Sequence, residues 1–390
     1  MHIVHLLTRL LRAGSEENTV ETCRWQVASG HQVTLIHGLE SDPFWDVNLP
    51  EGISRVVVPD LVHGIDSKRD LRAIRWLRAI YRTLGPDVIH THQSKAGILG
   101  RLAARSVPGA LVVHGVHILP FEGVGPIKRT LYLAAERLAS RHTDAFVGVS
   151  RAVAQAYLKA GLAQPDQMHC VRSGMALDTF RTAHLPRDWR QLVGVTQDAP
   201  RPPVALMMAA FEPRKRHIPF LRALAQEVHT LPQMRILFAG QGPEESRVKA
   251  EVSRLGLDEQ IVFCGHRPDP EALFALADMS VLTSEREGLP RVAVQSIAAG
   301  CPVLVQALPG IEEIVAHQRN GLILPSEDMS RMARQMVDLL SDAPKRHKLA
   351  RGARNTDVSE WELSGFGART DECYRSALQL PDPIPERDVA

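Results

Sequence analysis

Met1-His-Ile-Val-His-Leu-Leu-Thr8 is a short apolar run, followed by a loop around Ala13-Gly14-Ser15, a helix-like stretch from Glu16 to Ala28, Gly30, and a second apolar run, Val33-Thr34-Leu35-Ile36. The order strand, loop, helix, strand is a β-α-β unit. The pattern repeats outward from it. Further strands are expected at Ser54–Val58, Asp87–His90, Ala110–His114 and Ala145–Val149, with helices at 67–84, 95–106, 126–141 and 151–160. Pro186, Pro200, Pro202 and Pro203 then interrupt any periodic pattern and read as a linker. A second alternation follows, with strands at Val204–Met208, Arg235–Phe238, Gln260–Phe263, Met279–Leu282, Pro302–Val305 and Gly321–Leu324. Its helices are expected at 217–229, 243–255, 270–276, 290–299, 310–317 and 328–341. The economical fold class is α/β, with two doubly wound Rossmann-like domains facing each other across a cleft. The expected partition is 1–185, a linker at 186–203, a second domain at 204–379 and a flexible tail at 380–390. Such sheets bind ligands at the carboxyl ends of their strands, so the cleft is the expected site.

The 390 residues are 44% hydrophobic and 23% charged, which excludes a small stapled module and a largely disordered chain. A net charge of +2 makes no case for nucleic acid, but its distribution is uneven. The first 185 residues carry 21 Lys/Arg against 16 Asp/Glu, the remainder 25 against 28. The five cysteines show no metal-ligand spacing and are expected as reduced thiols, and no metal or cofactor is expected. No apolar run reaches the roughly 18 residues of a membrane span, and the opening residues lack the pattern of a signal peptide. A cytoplasmic location is therefore expected.

The segment richest in chemistry is Glu287-Gly-Leu-Pro-Arg-Val-Ala-Val-Gln295-Ser-Ile-Ala-Ala-Gly300, directly after the strand ending at Leu282. Pro290 suits the first position of a helix, where its missing N–H costs nothing, and Gly300 suits the position just past its end. The free N–H groups and positive dipole end of that helix form a natural diphosphate site. Glu287 would sit just outside it and Gln295 one to two turns along.

This segment resembles the signature of the family 4 retaining glycosyltransferases of two-Rossmann (GT-B) architecture, a Glu followed after seven residues by a second Glu. Ordered matches extend over nearly the whole length. They include Ala13-Gly14-Ser15-Glu16, the segment His90-Thr-His-Gln-Ser-Lys95, Val113-His-Gly-Val-His117, Glu212-Pro-Arg-Lys215-Arg-His217, Phe238-Ala-Gly240-Gln-Gly242 and Pro309-Gly310-Ile-Glu-Glu313. The resemblance implies transfer of a sugar from a nucleotide-diphosphate sugar to a hydroxyl of a glycan or lipid-linked acceptor, in cell-surface polysaccharide or glycolipid assembly. The first domain would bind acceptor and the second donor. On that pattern Glu287 would contact sugar hydroxyls, His117 the sugar or leaving group, Lys215 the diphosphate and position 295 the ribose. Gly14, Gly240, Gly288 and Leu289 would join the donor site, with His266 and Arg267 near the nucleobase through their backbone. Preorganised donors stabilise the charge that builds on the leaving diphosphate.

The chain departs from the family at three places. Ala210 stands where an Arg is usual, Gln295 replaces the second Glu, and Ser173-Gly174 replaces a commoner Asn-Gly. Arg214 or Arg216 offers a substitute cation, and the amide of Gln295 keeps an acceptor oxygen without the charge. These departures leave an alternative open, a catalytically degenerate nucleotide-sugar binding partner protein.

Taken alone, Gly14 is a turn glycine, Lys215 a surface charge, and His114 or His117 an interior imidazole. Only their ordered context gives them roles. The stretch from Lys68 to Arg82 carries six positive charges in fifteen residues, with Leu71, Ile74, Leu77 and Ile80 at helical spacing. It reads as an amphipathic helix packed on its sheet, or as a surface, 67–82, that meets anionic membrane at the inner face of the plasma membrane.

Overall fold

A computed structural model describes residues 1–196, 198–325 and 328–379. The tail expected at 380–390 lies outside the described residues. The chain forms two compact units, Met1–Gly174 joined by the residues from Leu363 onward, and Met175–Glu362.

In the first unit seven parallel strands, β1 (His2–Leu6), β2 (Gln32–His37), β3 (Ile53–Val57), β4 (Val88–His92), β5 (Leu111–Val116), β6 (Ala145–Gly148) and β7 (Met168–Cys170), lie in the order 3-2-1-4-5-6-7. The second holds six, β8 (Val204–Met208), β9 (Arg235–Ala239), β10 (Ile261–Gly265), β11 (Met279–Leu282), β12 (Val303–Gln306) and β13 (Gly321–Leu324), in the order 10-9-8-11-12-13. Both are doubly wound Rossmann-like sheets. The order reverses between β1 and β4 in one and between β8 and β11 in the other. Ligands gather at the carboxyl ends of strands at such a reversal.

The central strands are apolar because helices cover both faces, as parallel sheets require. Helix Ser67–Leu84 shows how the sequence sets an element's ends. Asp66 accepts from the backbone N–H groups of Lys68 and Arg69, and Gly85 closes the helix at φ 54°. Its buried face is Ala73, Leu77 and Tyr81, so Leu71, expected inside, is exposed, as is Trp76. Helices Ser94–Ala104 and Pro126–Ser140 are joined inside the first unit by Arg101 and Glu136, a fully buried ion pair of 2.6 Å.

The units differ from the expected partition in two ways. The proline-rich segment 186–203 belongs to the second unit, where Val193 is buried, its carbonyl accepts from Arg235 Nε at 3.1 Å, and Asp188 pairs with Arg267. Prolines stop regular structure there without freeing the chain from the core. The C-terminal helix Phe366–Ala377 belongs to the first unit, lying on helix Gly14–Ala28 with Cys373 and Tyr374 in the core. Gly367 permits that approach, since a Cβ there would meet Trp25 Cγ at 2.1 Å. Strand β7, helix Ala343–Arg354 and the short helices Phe44–Asn48, Asp178–Arg181 and Trp189–Leu192 are further elements that periodicity did not reveal.

Candidate active site

In the second unit the loops leaving β8 and β11 are tied together at the reversal. Thr283 Oγ donates to the carbonyl of Lys215 at 2.5 Å, and the Glu285 N–H donates to the carbonyl of Arg214 at 2.8 Å. This brings Lys215 into an ion pair with Glu287, while Arg214 reaches the second carboxylate oxygen at 3.3 Å and Glu212 at 2.8 Å. Burial pushes the Glu287 carboxyl up, but Lys215 and Arg214 beside it outweigh that and hold it below the usual carboxylate range. Two cations and a half-buried carboxylate thus stand together at the strand ends where sheets of this kind bind ligands. Of the two substitute cations, Arg214 reaches Glu287, whereas Arg216 turns to Gln306 at 3.4 Å.

The helix after Glu287 spans Arg291–Ala298, shorter than expected at both ends. Pro290 is its N-cap at ψ 81° and not its first turn, because the Leu289 and Pro290 carbonyls already accept from the Arg291 and Ala293 N–H groups. Gly300 ends it at φ 70°, as the sequence implied. Gly288 is buried, and Leu289 and Gln295 are half-buried on this element. Gly240, at φ 145°, follows β9; a Cβ there would strike the Ala209 carbonyl at 2.2 Å, so only glycine lets these two loops cross. His266 is exposed, while the Arg267 guanidinium is spent on Asp188 and Asp269 at 2.7–3.2 Å, leaving only its backbone for a ligand.

In the first unit Gly14 opens helix Gly14–Ala28 directly after β1, with Ala13 as N-cap. Ser15 donates to Glu16 at 2.5 Å. Burial raises the Glu16 carboxyl above its ordinary range. Gln93, at φ 60°, links the loops after β1 and β4. Its Oε1 accepts from the Thr8 N–H at 3.0 Å and its Nε2 donates to Ser15 Oγ at 3.4 Å. His117 follows β5 half-buried, its Nε2 lying 3.1 Å from His92 Nδ1. His114 faces the other side of the sheet, bonded to Thr91 and packed on Phe146, an interior imidazole. Lys95 pairs with Asp70 at 2.6 Å, away from any role in this loop.

Sequence reading carried His90, His92 and Gln93 only as part of a matched segment and missed the buried cluster that His5 completes behind His117. His5, His90 and His92 gather ring nitrogens within 4.8 Å of one another. The only signal in the sequence was two polar interruptions in otherwise apolar strands, His5 and the pair His90/His92.

Residues 12–179 match the family described as Glycosyltransferase Family 4, and residues 194–356 match Glycosyl transferases group 1. A putative glycosyltransferase EpsD of Bacillus subtilis strain 168 is 27% identical over 296 residues, covering 74% of this chain and 76% of its own length. An Escherichia coli UDP-Gal:alpha-D-GlcNAc-diphosphoundecaprenol alpha-1,3-galactosyltransferase is 24% identical over 308 residues, covering 78% and 79%. HepE of Anabaena, solved in complex with UDP and glucose, superposes with a TM-score of 0.80 at 21% identity, covering 96% of this chain and 100% of that one. The fold and the matched families define a glycosyltransferase of two-Rossmann, GT-B architecture. The chain belongs to the family 4-like members of that class. Among the described residues no helix is long and apolar enough to cross a membrane.

Proposed function

We propose that this chain moves a sugar from a nucleotide-diphosphate sugar to a hydroxyl of a glycan or lipid-linked acceptor, with retention of anomeric configuration, in bacterial cell-surface polysaccharide or glycolipid assembly. The observation that carries the reading is the Lys215, Arg214 and Glu287 group at the reversal of the second sheet. The named donor and acceptor of the Escherichia coli relative and the UDP of the Anabaena structure support it.

The chemistry asks for stabilisation of negative charge on the departing diphosphate. Lys215 and Arg214 supply fixed cations, and the opening of helix Arg291–Ala298 adds its dipole. Glu287 orients the lysine and offers acceptor oxygens to sugar hydroxyls. The leaving phosphate oxygen takes the acceptor's proton, so no protein nucleophile and no metal is needed. Gly14, Gly240, His266, Arg267, Gly288, Leu289 and Gln295 complete the donor surroundings, His117 meets the sugar, and the first unit takes the acceptor. The work is placed on the cytoplasmic side, with peripheral contact to anionic membrane through 67–82, where Trp76 and Leu71 are 52% and 58% exposed among the basic residues. Helix Pro126–Ser140 exposes Ile127, Leu131 and Leu138 beside Lys128 and Arg129, so flotation with anionic vesicles should compare Trp76→Ser with Ile127→Ser. Binding lost only in Ile127→Ser moves the contact off 67–82, and no binding at low salt removes it.

The primary test is a thermal-shift screen against UDP, GDP, ADP and their sugar conjugates, with and without chelator. A ligand at a hundredfold excess over Kd adds about 2.7 kcal/mol. A shift with one base, unchanged by chelator and lost in Lys215→Met, supports the donor site; no shift at millimolar nucleotide sinks it. Ala210 and Gln295 favour a second reading, a catalytically degenerate binding partner. Nucleotide binding without transfer or donor hydrolysis, in both the native chain and Gln295→Glu, would establish that second reading.

A further inference from the structure

Behind His117 runs a continuous line of hydrogen bonds through the core of the first unit. Gln26 Oε1 lies 2.8 Å from His5 Nε2, His5 Nδ1 2.9 Å from His92 Nε2, and His92 Nδ1 3.1 Å from His117 Nε2. Gln26, His5 and His92 are buried. An amide oxygen only accepts, so His5 must carry its proton on Nε2, which leaves its Nδ1 a lone pair. That lone pair accepts from His92 Nε2–H, and the same alternation gives His117 its proton on Nε2. Burial keeps His5, lowered to about 4, and His92, well below its ordinary value, neutral at pH 7, so neither of these two rings is doubly protonated.

The rest of the core supports this line. Gln26 Nε2 donates to Tyr374 OH at 3.4 Å, which turns the amide oxygen toward His5, and the same hydroxyl lies 2.6 Å from His90 Nδ1. Gly115 leaves room for the last link, since a Cβ there would meet His92 Nδ1 at 2.7 Å and His117 Nε2 at 3.3 Å. A shared metal ion fits the distances less well. Two imidazole nitrogens on one tetrahedral ion, with bonds of about 2.0–2.1 Å, stand about 3.3 Å apart, whereas His5 and His92 are 2.9 Å apart, a hydrogen-bond distance.

We propose that Gln26, His5 and His92 are positioning residues that fix His117 as the Nε2–H tautomer, leaving its Nδ1 as a lone-pair acceptor. Such an acceptor takes a hydrogen bond from a sugar hydroxyl and repels a carboxylate or phosphate oxygen. The line therefore selects a substrate that presents a neutral hydroxyl to His117, an inference that rests on the reading of His117 as a substrate contact.

The test is long-range 15N–1H correlation NMR on the full chain labelled at histidine, at pH 7.5, with His117→Gln for assignment. His117 should show the Nε2–H pattern in the native chain and in Gln26→Glu, whose carboxylate can only accept. It should become a mixture of tautomers in Gln26→Leu, with near-UV circular dichroism confirming the fold, and kcat/KM should fall about tenfold there, the loss of one hydrogen bond, while Gln26→Glu keeps most of it. An Nδ1–H pattern in the native chain, or an unchanged Nε2–H pattern in folded Gln26→Leu, overturns the proposal. If the tautomer follows Gln26 while His117→Gln transfers sugar at the native rate, the positioning line stands and the reading of His117 as a substrate contact is the part that fails.

Discussion

The two sheets share one strand order around their reversals, yet the strand ends there carry opposite kinds of chemistry. The second unit places fixed charges, Lys215, Arg214, Glu212 and Glu287, on short loops tied by backbone hydrogen bonds. The first unit places hydrogen-bonding groups there, with Gln93 beside the buried Glu16 and His117 backed by buried His5, His90 and His92. On the proposed function, one topology serves a diphosphate in one unit and hydroxyls in the other. The difference lies in what each loop presents and in how it is held, by ion pairs in one unit and by alternating hydrogen bonds in the other.

The sharpest way to break this contrast is acid. His5 is lowered to about 4 and His90, His92 and His114 lie well below their ordinary value, all chiefly by burial, whereas the second unit has one such group of comparable burial, His217, lowered to about 4. The unfolded chain takes up these protons near pH 6.5 and the native chain does not, so stability is complete above about 6.5 and is lost as pH falls toward 4. At pH 5 an imidazole lowered to about 4, such as His5, costs about 2 kcal/mol. The neighbours Gln26, Tyr374 and Thr91 carry no charge that would offset this, while His117 near His90, His92 and His114, and Arg101 near His114, add to it. Hydrogen exchange followed from pH 7 to pH 5 should therefore show β1, β4 and β5 losing protection before β8, β9 and β11. Loss in both units at one pH, or in the second unit first, would contradict the contrast.

The next effect tests what a buried charge does inside the first unit. Glu136→Ala strands the Arg101 guanidinium, fully buried, and should cost about 3–5 kcal/mol by denaturant unfolding. Arg101→Met combined with Glu136→Leu should recover most of that loss, since well-packed apolar residues often replace such a pair at little cost. A double variant as unstable as Glu136→Ala would mean the pair sets the packing of its two helices.

In the charged unit, Lys215→Met should lower turnover by about 100- to 1,000-fold, the range expected when one preorganised donor to a developing oxyanion is removed. Initial rates of donor consumption measure it. Stability should hardly change, because Glu287 keeps Arg214 at 3.3 Å. A large loss of stability with native turnover would reduce the Lys215–Glu287 pair to a structural tie.

How much of this was legible follows the same division. The strand and helix order could be read because parallel strands covered on both faces are continuous apolar runs such as Val204–Met208 and Val303–Val305. The C-terminal crossing could not, because Phe366–Ala377 is polar and docks by the absence of a side chain at Gly367. Glu287 and Lys215 were found through local motifs, although their pairing across 72 residues is a product of the fold. The histidine line was invisible because it depends on the pairing of His5 with His90 across two strands and on Gln26 descending from a helix onto them. The engagement of Arg267 by Asp188 was hidden for a related reason, the docking of a segment read as a linker.

The smallest effect compares the one feature both reversals share, a non-glycine residue held at positive φ, Gln93 at 60° and Arg216 at 58°. Holding such a residue there costs of order 1–3 kcal/mol, which glycine relieves. Gln93 offsets the strain with two side-chain hydrogen bonds, to the Thr8 N–H and to Ser15 Oγ, each worth about 1 kcal/mol. Arg216 offers only a 3.4 Å contact to Gln306. Arg216→Gly should therefore stabilise its unit by about 0.5–1 kcal/mol, while Gln93→Gly should leave stability nearly unchanged, both read from unfolding midpoints. Gln93→Ala, which keeps the strain and loses both bonds, should fall about 1–2 kcal/mol below Gln93→Gly. Equal gains from both glycine variants would show that the Gln93 side chain contributes nothing to its loop, and the strain there would then be retained for what the loop does with a ligand.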